Sequence, residues 1–307
     1  MGTIGRLDRK GIRWGCNKMI IVKLMGGMGN QMFQYALYRA LLAQGKEVKL
    51  DRSKFAHFDE IRNCFLDNGC FDLPYELCTK KEARKYVLGT GMAARVLMKL
   101  FGDKDTHYYE KRDYEYDSCV MQLSEGYLDG FWQTWKYFKE IEADVRKAYR
   151  FINGLTGKDK MFEEQIRNTD SVAVHVRKGD YDKLQNLYGN ICTKEYYQKA
   201  IKTISQIVET PVFYFFSNDM EWTRATFGEK GNYVYVEGNS EDKGYIDMQL
   251  MSECKHQIMA NSSFSWWAAY LNNNPNKKVI CPKRWINTKE TPDVYYNGWI
   301  RVAGEAE

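Results

Sequence analysis

The sequence predicts an α/β protein built as two Rossmann-like halves that face each other. Three observations carry this prediction. Short β-branched runs alternate with segments whose apolar residues recur with helical spacing. The alternation is regular from Ser171 onward. Polar or glycine-rich turns follow the strands, at the place where open parallel sheets hold ligands.

The elements read as follows. Met19–Leu24 is a strand, Gly26–Gly29 a turn, and 30–44 a helix with Phe33, Ala36, Leu37, Ala40 and Leu41 on one face. Gly45 ends that helix and Glu47–Asp51 is the next strand, closing a βαβ unit. Between 55 and 125 the pattern is weaker, with helices near 80–100 and a polar, tyrosine-rich loop at His107–Tyr116. Tyr127–Trp132 reads as a strand and 133–150 as a helix. Gly154, Gly157 and a run of charges mark a boundary, giving a first domain over 19–155 and a second over 156–307. In the second, strands fall near 172–177, 212–216, 233–236, 256–260 and 278–281, with helices near 194–208, 219–227, 244–254 and 263–272. Such alternation argues for a parallel sheet covered on both faces.

Composition narrows the function. A chain of 307 residues can bury two medium cores. A net charge of +5, with Lys and Arg scattered, sets aside a nucleic-acid partner but suits an anionic small ligand. No run approaches the roughly 18 apolar residues needed to span a bilayer. Residues 1–18 read as a polar, basic extension without the apolar centre of a secretory signal. The 8 cysteines lack metal-site spacing and read as reduced thiols of a cytoplasmic protein.

Four turns concentrate the chemistry. His175-Val176-Arg177-Lys178-Gly179-Asp180-Tyr181 ends a buried strand. His175 and Arg177 share one strand face, and a guanidinium fork matches phosphate oxygens. An Arg177–Asp180 ion pair closing a turn is the plainer alternative. Ser217-Asn218-Asp219 ends another strand, either capping the next helix or presenting a carboxylate to a guanine edge. Asn261-Ser262-Ser263-Phe264-Ser265 opens a helix, where hydroxyls and unpaired amides make an anion site. Capping explains one serine there; Trp266, Trp267 and Leu271 read as core. Gly26-Gly27-Met28-Gly29-Asn30-Gln31 matches neither phosphate-loop fingerprint, yet its glycines allow close backbone approach. Two facing halves would gather all four into one cleft, an arrangement suited to a nucleotide-sugar transferase.

These stretches resemble the bacterial α-1,2-fucosyltransferases of glycosyltransferase family 11. The resemblance rests on the turns just named, continued through Met32-Phe33-Gln34-Tyr35-Ala36, Trp222 and Trp266-Trp267-Ala268-Ala269, with a weaker match at Gly130-Phe131-Trp132-Gln133. It implies a GT-B fold, GDP-fucose as donor, a terminal β-galactoside as acceptor, and inverting transfer to the galactose 2-hydroxyl with no metal or other cofactor. Arg177, Asp180 and Asn30 are then the expected catalytic residues. His175, Lys178, Asn218, Asp219, Ser262, Ser263, Phe264, Ser265, Gly27 and Gly29 are expected on the donor, and Gln31, Trp132 and Gln133 on the acceptor. Lys178 stands where the family usually shows a second arginine, keeping the charge without the fork. The pairs Asp103-Lys104-Asp105 and Asp180-Tyr181-Asp182 are read as chance rather than as metal ligands. The acceptor is a β-galactoside oligosaccharide or a lipid-linked glycan, the latter placing the protein at the cytoplasmic face of the inner membrane. The competing readings are a GDP-sugar transferase of another linkage and a non-catalytic carbohydrate- or nucleotide-binding protein.

Overall fold

The computed structural model describes residues 18–55, 64–89, 96, 102–178, 184–239 and 243–304. The expected extension, all but Lys18, lies outside these residues, as do Gly179, Asp180, Tyr181 and Asp182.

Among the described residues, ten strands form two wholly parallel sheets. The first holds β1 (Ile20–Lys23), β2 (Val48–Asp51), β3 (His107–Tyr109) and β4 (Gly126–Asp129), in the order β2-β1-β4-β3. The second holds β5 (Asp170–Val176), β6 (Pro211–Ser217), β7 (Tyr233–Tyr235), β8 (His256–Ile258), β9 (Val279–Pro282) and β10 (Ile300–Val302). Its order is β10-β9-β8-β5-β6-β7. The helices, in chain order, are α1 (Met28–Ala43), α2 (Lys80–Tyr86), α3 (Ser118–Gln122), α4 (Glu142–Ala148) and α5 (Gly157–Arg167). They continue with α6 (Gln185–Tyr188), α7 (Lys194–Ser205), α8 (Met220–Phe227), α9 (Gly244–Glu253) and α10 (Ser263–Leu271). This is the GT-B-type layout of two facing parallel α/β halves. No described helix is long and apolar enough to cross a membrane.

Each sheet reverses its winding once. In the second sheet the chain moves outward from β5 through β6 and β7, then returns to β8 and moves out the other way. The break therefore falls between β5 and β8. In the first sheet it falls between β1 and β4. Helices on either side of such a break diverge and leave a crevice beyond the strand ends.

The two halves share one aromatic core. Phe33 on α1 lies between Trp266 and Trp267 on α10, with ring centroids 4.7 and 4.8 Å away. Phe138 stacks on Trp267 at 5.5 Å, and Tyr149 meets the same indole edge-on at 4.9 Å. Both tryptophans are fully buried. Truncating either would cost about 3–5 kcal/mol. The chain then returns from the second sheet to the first: Asp293 accepts from the Tyr116 amide, its carbonyl from Thr134 Oγ1, and the Tyr295 carbonyl from Trp135 Nε1.

Three expectations change. The polar segment from His107 begins with β3, an edge strand that pairs with β4. Residues 133–150 are not one helix: two 3-10 turns, Trp135–Tyr137 and Lys139–Ile141, precede the short α4. The charged stretch at 153–170 contains α5, an amphipathic helix whose Ile166 is fully buried.

Candidate active site where two helix starts meet

The glycine turn after β1 leads into α1, and the serine turn after β8 leads into α10. These two helix starts abut. A Cβ on Gly29 would lie 2.6 Å from the Ser263 carbonyl carbon and 2.7 Å from the Phe264 nitrogen. Glycine is required here by the other half of the protein, not by a ligand. The Gly29 carbonyl also accepts from Trp267 Nε1 at 2.9 Å. Asn30 completes the join. Its Oδ1 accepts from Ser263 Oγ at 2.6 Å and from Gln133 Nε2 at 3.1 Å.

The electrostatics of this join matter. A helix N-terminus carries about half a positive charge and four amides without helical partners. Neither α1 nor α10 has an acidic residue in its first turn, and α1 has no side-chain cap. Two uncompensated positive ends are thus held in contact. Gly26 shapes the turn, with φ of +79° and no room for a side chain: a Cβ would meet the Asn30 amide nitrogen at 2.6 Å.

His175 and Arg177 leave β5 beside this spot. The His175 ring lies 5.4 Å from that of Phe264, and Gly244 at the start of α9 packs beneath Phe264. His175 is buried, its Nδ1 has no hydrogen-bond partner among the described residues, and burial, with the Arg177 charge as a lesser cause, pushes it down to about 3. It is a neutral imidazole. Arg177 and Lys178 are part-exposed past the strand end. The Lys178 ammonium sits over the Trp222 ring, 4.5 Å from its centroid.

Several residues expected on the donor also hold these turns together. Asn218 brackets the Lys178 peptide, accepting from its nitrogen and donating to its oxygen, both at 2.9 Å. It thereby continues the β5–β6 ladder past its last pair, Val176 with Ser217. Asp219 is the N-cap of α8, accepting from the Trp222 amide. Ser262 caps α10 through the Phe264 amide, and Ser265, fully buried, donates to the Ala260 and Ser262 carbonyls. Gly27 is the part-exposed N-cap of α1.

The residues expected on the acceptor lie together and are buried. Gln31 is fully buried, donating to the Gly26 carbonyl and accepting from the Phe65 amide. Trp132 is 1% exposed and Gln133 is 5% exposed. They form the wall behind Asn30, with Gln133 bonded to Asn30 Oδ1. Asp180 lies outside the described residues.

One residue of the crevice wall was not anticipated. Glu110 extends β3 by one ladder bond, its amide donating to the Asp129 carbonyl. Its carboxylate accepts from the Phe131 and Trp132 amides. Burial, which outweighs those two bonds, pushes it up to about 7.

With this geometry in place, the comparisons with known proteins decide the family. A profile of "Glycosyl transferase family 11" matches residues 93–303. An Escherichia coli alpha-1,2-colitosyltransferase is 31% identical over 296 residues, covering 92% of this chain and 99% of that protein. The chain belongs to glycosyl transferase family 11. A second relative of this family 11 glycosyltransferase, the E. coli O-antigen biosynthesis glycosyltransferase WbnK, is 31% identical over 91% of the chain and 99% of its own length. A galactoside alpha-(1,2)-fucosyltransferase 1 from Saimiri boliviensis boliviensis is 30% identical over 47% of the chain and 42% of its own length. Among solved structures, fucosyltransferase NodZ from Bradyrhizobium superposes with a TM-score of 0.48 at 12% identity, covering 82% of this chain and 92% of that one.

Proposed function

We propose that this glycosyltransferase moves L-fucose from GDP-β-L-fucose to the 2-hydroxyl of a terminal β-galactoside, with inversion, forming an α-1,2 linkage. The observation that carries the reading is the contact of two uncompensated helix starts at the joined strand ends, beside Arg177. A diphosphate suits such a site: it neutralises both positive ends at once, through backbone amides that need no side chain. The names of the colitosyl and fucosyl relatives support the 1,2 linkage and a deoxy-sugar donor.

In this reading the α1 and α10 amides and the Arg177 guanidinium take up the charge that develops on the β-phosphate as the sugar leaves. Groups fixed in place before the reaction need no reorganisation during it. His175 and Phe264 line the nucleoside side, with Lys178 and the free oxygen of Asp219 nearby. Asn30 orients the sugar across the join. We assign no metal to the step, since these fixed positive groups carry the charge. Asp103 of the one described aspartate pair is engaged by the Tyr109 hydroxyl at 2.8 Å. The protein works in the cytoplasm, at the inner membrane where the acceptor is lipid-linked.

The full-length similarity to a colitosyltransferase favours one second reading, a GDP-linked donor that lacks the sugar 3-hydroxyl. One experiment tests both. GDP-fucose and the 3-deoxy donor are each offered with a panel of β-galactosides, GDP release is followed, and the product linkage is read by NMR. The proposal expects an α-1,2 linkage and a higher kcat/KM for GDP-fucose. Another linkage, or no GDP release with either donor, overturns it.

A further inference from the structure

We propose that Glu110 is the group that takes the proton from the acceptor hydroxyl; this rests on the transfer reaction proposed above. The argument begins with position. Glu110 leaves the carboxyl end of β3, beside β4, on the same end of the first sheet as the glycine turn. The loop it holds, Gly130–Gln133, runs directly to Asn30: the Phe131 ring lies 3.0 Å from the Cβ position of Gly26, beside the Asn30 amide, and Gln133 bonds Asn30 itself. The loop is shaped around the carboxylate. A Cβ on Gly130 would fall 2.4 Å from Glu110 Cβ and 2.8 Å from Oε2, so only glycine fits.

The chemistry of its partners comes next. The other carboxylates at these strand ends are already committed. Asp51 accepts from the Tyr127 hydroxyl at 2.6 Å and the Ser53 amide at 2.7 Å. Asp129 is paired with Lys23 at 2.7 Å and reached by His107 Nε2 at 3.3 Å. Glu110 has neither a cation nor a side-chain donor among the described residues. Oε2 accepts from Phe131 at 2.6 Å and from Trp132 at 3.1 Å, whereas Oε1 takes only a shared bond from the Trp132 amide. A carboxylate offers about four acceptor directions, so Oε1 keeps one for a ligand.

A strap for two amides could be built from glutamine at no electrostatic cost. A half-buried carboxylate without a cation costs stability, and such groups concentrate where proton transfer is needed. The charges facing it are Asp113, which raises its affinity for a proton, and Lys289, which lowers it. Lys289 lies 3.4 Å from Glu115, and Tyr137 is the remaining titratable neighbour. The balance leaves Glu110 titrating near neutrality, where a general base works best.

The step balances as follows. The acceptor O2–H proton passes to Glu110 Oε1. The freed lone pair on O2 bonds to the sugar C1 as the C1–O bond to the β-phosphate breaks, and that bond's electrons leave with GDP. Water then takes the proton from Glu110.

The test compares wild type, E110Q and E110A with GDP-fucose and lactose. Azide is a nucleophile that needs no deprotonation. The proposal expects E110Q to lower kcat by about a hundred-fold or more, with KM for GDP-fucose unchanged and the rise of rate through pH 7 abolished. It also expects azide to restore GDP release in E110A, with α-fucosyl azide formed, while transfer to lactose stays low. E110Q with a wild-type pH profile overturns the proposal. So does E110A that azide cannot rescue, since the carboxylate would then serve only to hold the loop. A wild-type enzyme silent with GDP-fucose overturns the donor reading, and this proposal with it; an active wild type with an indifferent E110Q overturns this proposal alone.

Discussion

The six-stranded and four-stranded sheets solve the same problem in opposite ways. In the larger sheet, β5 and β6 are seven residues each and bury Val172, Val174, Val176, Phe213 and Phe215 in a continuous apolar layer. Its part-exposed basic residues Arg177 and Lys178 come after Val176, the last residue of β5. In the smaller sheet the strands are three or four residues long and carry charge inside them. Lys23, Asp51, His107 and Asp129 hold one another and Tyr127 across the strands. The larger sheet is therefore a rigid platform that carries polar chemistry at one edge. The smaller one consumes most of its polar groups as fastenings, and what remains for a ligand is Asn30 and Glu110. Substitutions at the edge of the platform should change turnover alone. Substitutions where the halves join should change turnover and stability together.

Arg177→Ala gives the largest effect and the sharpest form of that contrast. Losing one preorganised charge donor typically costs about 3 kcal/mol, or roughly a hundred-fold in rate. Arg177 is part-exposed beyond the end of β5, so the apolar layer is untouched. The expected outcome is a kcat/KM at least about a hundred-fold lower, with the thermal midpoint within a degree or two of wild type. Near-normal turnover would remove Arg177 from the diphosphate site. A large fall in midpoint would show that the edge is not independent of the platform.

Gly29→Ala probes the join. Alanine is the better helix residue by about 1 kcal/mol, so propensity alone predicts a gain. The new Cβ, however, would sit 2.6–2.7 Å from the backbone of Ser263 and Phe264 in the other half. Backbone at a helix start cannot swing aside as a side chain can, and overpacking of this kind costs about 1–3 kcal/mol. The expected result is a lower thermal midpoint together with a loss of activity, because the two helix starts must separate. An alanine variant more stable than wild type, and as active, would mean that the halves part at little cost.

The same contrast explains what the sequence made legible. Apolar β-branched and aromatic runs announce β5 and β6, since a strand buried on both faces has no other composition open to it. β3 gives no such signal: in His107-Tyr108-Tyr109-Glu110 it is an edge strand, with Tyr109 47% exposed and only His107 buried. The glycine and serine turns are visible one at a time by residue type. That Asn30 and Ser263, 233 residues apart, share a hydrogen bond is a product of packing alone. Trp132 and Gln133 look like sugar contacts because aromatic and amide side chains often are. Here the chain turns at Trp132 with φ of +56° and folds both inward. Glu110 is hidden for the opposite reason: among Glu110, Asp113, Glu115 and Asp117 nothing in the sequence separates the one held by backbone amides from its neighbours.

The smallest effect separates the sheets by pH. His175 on β5 is held neutral by burial, down to about 3. In the unfolded chain an imidazole titrates near 6.5. Between these values the unfolded state binds a proton that the folded state does not, so stability falls as pH drops below about 6.5, by at most about 1.4 kcal/mol per pH unit. His256 on β8 is lowered in the same direction by burial, so it adds a second, weaker slope. The raised carboxyls of Glu110 and Asp247 take up protons in the folded state over the same range and act in the opposite sense, so the quantity to read is a difference: between pH 7.5 and 5 the thermal midpoint of wild type should fall relative to that of His175→Gln, which keeps a polar side chain without the titration. Asp129 of the smaller sheet acts in the same sense but in a lower pH window. Lys23 and His107 together overcome the burial of Asp129 and hold it below its ordinary range, a contribution fully present above about pH 4 and lost only below it. A loss of wild type relative to the variant between pH 6.5 and 5 thus belongs to His175. If His175→Gln leaves that slope unchanged, the platform's edge is wetter than a buried, partnerless imidazole allows, and the crevice is open to water before any nucleotide enters it.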